Sequence, residues 1–112
     1  MSKQKKTIPL TPAVFYILLA LFGKERHGYD IMRQVKEDSQ GQFVMGPGTM
    51  YGSIDRMMEA GLAERSFSQS QNPRRIYYKL TAKGKKVLQA EAERLSQATK
   101  VAASRKLKIA GI

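Results

Sequence analysis

A chain of 112 residues has room for one domain with one modest core. It carries 20 basic and 9 acidic side chains, a formal charge of +11, which favours a polyanionic partner, either nucleic acid or an anionic membrane surface. With no cysteine and one histidine it excludes disulfides, thiolate metal sites, cysteine nucleophiles and paired-histidine chemistry, and it fits a reducing cytoplasm.

Residues 1–10 read as a flexible basic arm containing Lys3, Lys5 and Lys6. The apolar run over 13–22 is too short to cross a bilayer. Gly23-Lys24-Glu25-Arg26 follows it where a leader peptide would carry a small-residue cleavage site, so the segment reads as mature protein without a membrane partner. Thr11 and Pro12 start the first helix as cap and first-turn proline. It is expected to run to about Phe22 and to stop at Gly23. Val14, Ile17, Leu18 and Leu21 form one stripe; Phe15, Leu19 and Phe22 form a second. A helix apolar nearly all round must be covered on more than one side. So short a chain has little to cover it with, and a second subunit is expected there.

A second helix is expected from about Gly28 to Glu37, with Ile31, Met32 and Val35 as its buried face. His27 has no chemical partners in the sequence and reads as a cap or packing residue, although its ordinary pKa of about 6.5 permits a sensor role. Ser39-Gln40-Gly41-Gln42 breaks this helix, and Phe43-Val44-Met45 is a short apolar connector. The third helix opens at Pro47, which suits a first helical position, and closes at Gly61, which suits the left-handed position past the end. Met50, Ile54, Met57 and Met58 fall on one face, where the methionines read as core filler. Thr49, Gly52 and Arg56 fall on the other, flanked by Tyr51, Ser53 and Asp55. An apolar back and a small, hydroxyl-bearing front suit a helix that lies in a DNA groove; taken alone, the pattern also fits an ordinary surface helix. Helix, glycine-containing break and helix is the order of a helix-turn-helix.

Residues 62–67 and 75–80 read as two strands. In the second, Ile76, Tyr78 and Leu80 alternate with Arg75, Tyr77 and Lys79, the period-two pattern of a half-buried strand. The polar stretch 68–73 between them has turn chemistry, making a hairpin with a basic rim. Thr81 caps a last helix of helical composition as far as about Leu107, about 39 Å long at 1.5 Å per residue. Leu88, Ala92, Leu95, Thr99 and Ala102 form a thin, alanine-rich near-heptad seam that needs a partner surface. Lys83, Lys85 and Lys86 oppose the helix dipole in its first turns; either a contact offsets that cost or they form a solvated face. Residues 108–112 are expected to fray.

Charge is uneven. Residues 67–81 carry +3 and 82–112 carry +6, whereas 46–66 come to −1. Basic segments therefore flank a nearly neutral third helix, which suits phosphate contacts around a helix that reads base edges. There is no phosphate loop, no metal-ligand spacing and no nucleophile–base pair. No catalytic residue, metal site or cofactor is assigned, and the chain is not read as an enzyme.

Helix, helix, helix, two-stranded wing, helix is a winged helix-turn-helix, and the residues resemble the PadR family of bacterial transcriptional regulators over 8–100. The resemblance is carried by Leu18-Leu19-Ala20-Leu21, His27-Gly28-Tyr29-Asp30-Ile31, Gly48-Thr49-Met50-Tyr51, Glu59-Ala60-Gly61-Leu62 and Tyr77-Tyr78-Lys79-Leu80-Thr81-Ala82-Lys83-Gly84. Each piece is weak alone; the set, in this order and spacing, is specific. It implies a dimeric repressor of the short, single C-terminal helix subfamily, with DNA bound by the winged helix and dimerisation by the last helix. Thr49 and Tyr51 match the family's DNA-facing positions, Arg74 and Arg75 its basic wing, and Gly28 and Tyr29 its opening of the second helix. Short members that sense multiple drugs stack planar molecules on a tryptophan of the last helix; this chain has no tryptophan.

The expected fold is thus mainly α with a small β-hairpin: a basic arm over 1–10, a winged helix-turn-helix over 11–81, a dimerisation helix over 82–107 and a frayed tail over 108–112. The expected partner is double-stranded DNA with a palindromic operator. Gly48, Thr49, Tyr51, Gly52 and Arg56 are expected at the groove, and Arg74, Arg75, Lys5 and Lys6 at phosphates. A homodimer is expected through Phe15, Leu19, Phe22, Leu88, Ala92, Leu95, Thr99 and Ala102. A pocket for a small-molecule effector is expected near Phe15, Leu88, Ala92 and Leu95. The competing reading is a non-specific nucleic-acid-binding adaptor or nucleoid-like protein on the same fold.

Overall fold

A computed structural model of the chain describes residues 10–67 and 72–110. Its elements, in order, are α1 (Pro12–Leu21), β1 (Arg26–His27), α2 (Gly28–Asp38), α3 (Pro47–Glu59), β2 (Ala63–Ser66), β3 (Tyr77–Leu80) and α4 (Ala82–Ser104). Local chemistry sets most of the ends. Thr11 Oγ1 accepts the Val14 amide at 3.2 Å, and Pro12 opens α1. The Thr81 hydroxyl accepts the Gly84 amide at 2.9 Å to open α4. Gly61, just past α3, sits at φ +78°, as a left-handed stop requires.

The core is built where α1, α2 and α3 meet. Ile17, Leu18, Ile31, Val35, Met50, Ile54 and Met57 have no exposed surface. Each such side chain contributes about 1.5–3 kcal/mol of burial, so the apolar back of α3 is what anchors it. Met58, expected with them, is only half-buried at the rim. Leu88 of α4 closes the core with 5% exposure. It therefore does not belong to the open seam: its side chain is already covered by its own chain, and only Ala92, Leu95, Thr99 and Ala102 of that seam keep accessible surface.

The sheet is larger than the expected hairpin. β1 joins it, giving the antiparallel order β1-β3-β2 with Arg26 opposite Tyr78 and Ala63 opposite Leu80. β3 is also shorter than the alternation suggests. Ile76 lies before it and is 47% exposed, whereas Tyr78 and Leu80 are buried. The wing reaches only as far as hydrogen bonding continues, and Ile76 falls outside that ladder. α4 ends at Ser104 rather than near Leu107, with Lys106 at φ +67° beyond it. The expected arm, turn and tail fall partly on 1–9, 68–71 and 111–112, outside the described residues.

The junction of α3 and α4 is tightly bonded. Lys83 Nζ donates to the Ala60 carbonyl at 2.8 Å, and the Thr81 hydroxyl donates to the Gly61 carbonyl at 2.5 Å. Lys83 thus places its charge on the end of α3, where a cation is favourable. Gly84 lies so close to the Leu62 carbonyl that a Cβ there would collide with it. Among the described residues no helix is long and apolar enough to cross a membrane, and no group of side chains could hold a metal ion.

Candidate nucleic-acid interface

The outer face of α3 carries Gly48, Thr49 and Arg56 exposed, Tyr51 at 40% exposure and Gly52 half-buried. Ser53, expected on the flank, is buried, and its hydroxyl accepts from Arg56 Nη2 at 3.4 Å. That bond lays the Arg56 guanidinium back along the helix, over Gly52, whose missing side chain leaves room.

Beside this face the start of α2 is fixed by a charged cluster. Arg26 donates through Nε to the Ala20 carbonyl at 2.5 Å and through Nη1 to Asp30 Oδ2 at 2.9 Å. Arg33 Nη2 donates to Asp30 Oδ1 at 2.6 Å. Partial burial raises the Asp30 carboxyl, but the hydrogen bonds from Arg33 and Arg26 outweigh it and hold the group below the usual carboxylate range. Arg26 and Arg33 are thereby spent on structure. His27 caps α2, its Nδ1 accepting the Asp30 amide at 3.3 Å.

An open cleft of about 690 Å³ lies between the start of α2, α3 and the wing. It is lined by His27, Gly28, Tyr29, Tyr51, Asn72, Arg74, Arg75, Ile76 and Tyr78, with no carboxylate among them. Tyr51 closes on Gly28 so nearly that a Cβ at Gly28 would strike its hydroxyl. Asn72 organises the base of the wing: its Oδ1 accepts the Arg74 amide at 2.9 Å and its carbonyl the Arg75 amide at 3.0 Å. Arg75 Nη1 lies 3.1 Å from His27 Nδ1 and 3.2 Å from its Nε2. Burial, then the nearby Arg75 charge, push His27 below its ordinary pKa, against the opposite pull of Asp30. Burial raises the Tyr78 hydroxyl, helped by the neighbouring Tyr51 and Asp55.

The fold therefore brings Tyr51, Arg74 and Arg75 to one cleft, with Thr49, Gly48 and Arg56 further along the same face of α3. Lys5 and Lys6 lie outside the described residues. His27, Tyr29 and Ile76 were not expected at this surface. Tyr29, 68% exposed two residues from a helix cap, is the one an exposure argument from the sequence could have found.

The expected effector pocket is displaced. A cavity of about 390 Å³ between α1, the 42–43 connector and α4 joins Phe15 and Leu95, but Leu88 and Ala92 do not line it. Leu88 points into the core and Ala92 to the outer side of α4, where it lines a separate hollow with Leu95, Ser96, Thr99, Lys100 and Ala103. Tyr16 and Phe43 take their places, with Tyr16 5.9 Å from Phe15 and 5.5 Å from Phe43 between ring centroids. Arg94 bonds Glu91 through two nitrogens at the rim, which holds the Glu91 carboxyl below its usual range. Of the remaining residues expected at a subunit contact, Phe22 is 60% exposed, and Phe15 and Leu19 are half-buried.

The model of the transcriptional regulator PadR-like family matches residues 17–90. A PadR family transcription regulator from Clostridium difficile is similar with a TM-score of 0.72 and 29% identity, over 87% of this chain and 100% of that one. A PadR-like transcription factor from Bacteroides fragilis gives 0.64 and 26%, over 81% and 86%. Bacillus subtilis PadR, solved in complex with operator DNA, shares the fold with a TM-score of 0.59 and 24% identity, over 70% of this chain and 45% of that one. Among curated proteins no match was found.

Proposed function

The chain belongs to the PadR-like family of transcriptional regulators, and from that premise we propose that it is a homodimeric, sequence-specific repressor that answers to a small molecule. One observation carries the DNA reading: the exposed face of α3 adjoins a cleft that holds two arginines and no carboxylate. Thr49, Tyr51 and Arg56 meet the major groove, and Gly48 and Gly52 let the backbone approach closely. Arg74 and Arg75 meet phosphates, joined by Lys5 and Lys6 of the arm. The reader is the winged helix over 11–81, and α4 joins two copies. Exposed Phe22 and Leu95, with half-buried Phe15 and Leu19 and the small residues Ala92, Thr99 and Ala102, supply surface for a two-fold contact. The effector enters the aromatic-lined cavity beside Phe15 and Leu95, next to that contact.

Selection from a random DNA pool, followed by sequencing, tests the reading. The expected product is a palindrome with half-sites about one helical turn apart, bound ~10³-fold or more tighter than random DNA. Retention of the pool without enrichment would instead favour a non-specific, nucleoid-like adaptor. Planar aromatic dyes should bind saturably, and Leu95→Trp should perturb them; if no dye binds and no additive shifts the melting temperature, the effector reading fails.

A further inference from the structure

His27 is the chain's single histidine, and it stands where three elements meet. Its backbone pairs with Tyr77 across β1 and β3. Its ring meets the Tyr77 ring edge-on, 5.4 Å between centroids. Its Nδ1 accepts the Asp30 amide at 3.3 Å, and Arg75 Nη1 of the wing lies 3.1 Å from the same nitrogen. A neutral imidazole has one acceptor nitrogen; an imidazolium has none. The Asp30 amide therefore needs the neutral ring with its proton on Nε2, while Arg75 Nη1, also 3.2 Å from Nε2, sits against both ring nitrogens and tolerates only an uncharged ring. Protonation removes the acceptor from the Asp30 amide and sets two cations, imidazolium and guanidinium, side by side.

The surroundings decide when that happens. Arg75 and Tyr77 face the ring from the wing and sheet, and Asp30 from α2; Arg74, Tyr29 and Tyr51 lie further round the cleft. Asp30 is already engaged by Arg26 and Arg33, at 2.9 and 2.6 Å. In the free protein the local balance favours the neutral ring. A phosphate brought into the cleft reverses it, because an anion close to both groups favours both charges.

We propose that His27 is a positioning residue of the DNA-binding wing: neutral, it holds Arg75 against α2; protonated, it releases Arg75 to a backbone phosphate and shares that phosphate. The proposal rests on the DNA-binding reading above. Its consequence is proton uptake on binding, so affinity rises as pH falls. Each unit by which DNA raises the pKa of His27 gives about tenfold tighter binding per protomer once the pH is below both values. With no other histidine and no cysteine, His27 is the one side chain whose ordinary pKa lies in this range.

The single histidine makes the test direct. NMR of the full chain follows the His27 ring through a pH titration, free and with a random-sequence duplex at low salt. The titration midpoint should rise with the duplex, and affinity should tighten severalfold per protomer between about pH 8 and 6. His27→Gln, which keeps an acceptor but cannot gain a proton, should still bind at the upper pH and lose most of that pH dependence. In the free protein, Arg75→Gln should raise the His27 midpoint, since it removes a neighbouring charge. A midpoint unmoved by the duplex, or an unchanged pH slope in His27→Gln, overturns the proposal. An unmoved midpoint in Arg75→Gln overturns it as well. If His27→Gln fails to fold, the two wild-type midpoints decide alone. A protein that binds the random duplex with the expected proton uptake, yet enriches no sequence, leaves this proposal standing and removes the sequence-specific repressor.

Discussion

Gly84→Ala and Gly52→Ala place the same methyl group in two helices, in the first turn of α4 and in the middle of α3, and they should move stability in opposite directions. Helix propensity alone favours alanine by about 0.8–1.0 kcal/mol in a helix interior, which is the setting of Gly52, and by no more than that in the first turn at Gly84. At Gly52 the atom nearest to the new Cβ is Arg56 Nη1 at 3.6 Å, an ordinary van der Waals contact. That gain is therefore kept, and Gly52→Ala should stabilise by up to about 1 kcal/mol. At Gly84 the methyl meets the Leu62 carbonyl oxygen. That carbonyl cannot swing away freely, because it accepts the Thr81 amide at 3.1 Å. Relief requires α4 to move, at an overpacking cost of about 1–3 kcal/mol, and losing the Thr81 bond adds about 1 kcal/mol. After subtracting the propensity gain, Gly84→Ala should lose about 1–3 kcal/mol. For a chain of this size each kcal/mol moves the melting temperature by about 4–8 °C. Thermal melts by circular dichroism should be compared at one protein concentration, since an oligomer's Tm depends on it. If both variants shift the melt upward, the close packing of α4 on Leu62 is refuted; if both shift it downward, the open surroundings of Gly52 are.

Arg56→Ala should lose about 1–3 kcal/mol on the selected operator and little on random DNA, measured by fluorescence anisotropy. Equal losses on both would mean that α3 does not read sequence. Arg75→Ala should weaken both DNAs alike and lower the slope of log affinity against log salt by about one for each phosphate contact removed. Leu95→Asp should turn the proposed dimer into a monomer by light scattering, or unfold it. An unchanged dimer would move the contact away from α4.

What the sequence discloses is mostly local. Thr11 with Pro12, Pro47 with Gly61, and Thr81 each announce a helix boundary because cap and helix lie within four residues of one another. The buried side of α3 is legible for the same reason: Met50, Ile54 and Met57 repeat at helical spacing. β1 is not legible, because two residues carry no periodicity and become a strand only by pairing with Tyr77 and Tyr78 some fifty positions away. The charge of Lys83 in a first turn calls either for an offsetting contact or for a solvated face, and nothing local identifies the partner, because the Ala60 carbonyl lies 23 residues earlier. Leu88 fits the heptad of an outward seam as well as it fits the core, and only the packing of α4 against α1 and β3 separates the two. In the candidate interface the basic wing and the front of α3 follow from residue type. The part played by His27 depends on Arg75, 48 residues distant.

The bonds from Lys83 and Thr81 to Ala60 and Gly61, the two residues that follow α3, have a mechanical consequence. They weld α3, the proposed groove reader, to one end of a stiff rod. At 1.5 Å per residue the 23 residues of α4 extend about 34 Å. If rod and head turn together about the welded end, a swing of about 3 Å at the tip corresponds to a tilt of about 5°, by that length. In the proposed dimer the rods lie against each other, so any molecule that wedges them apart tilts both welded heads in opposite senses. The two groove-facing helices then no longer match the pitch of the duplex, although no residue that touches DNA has itself been touched.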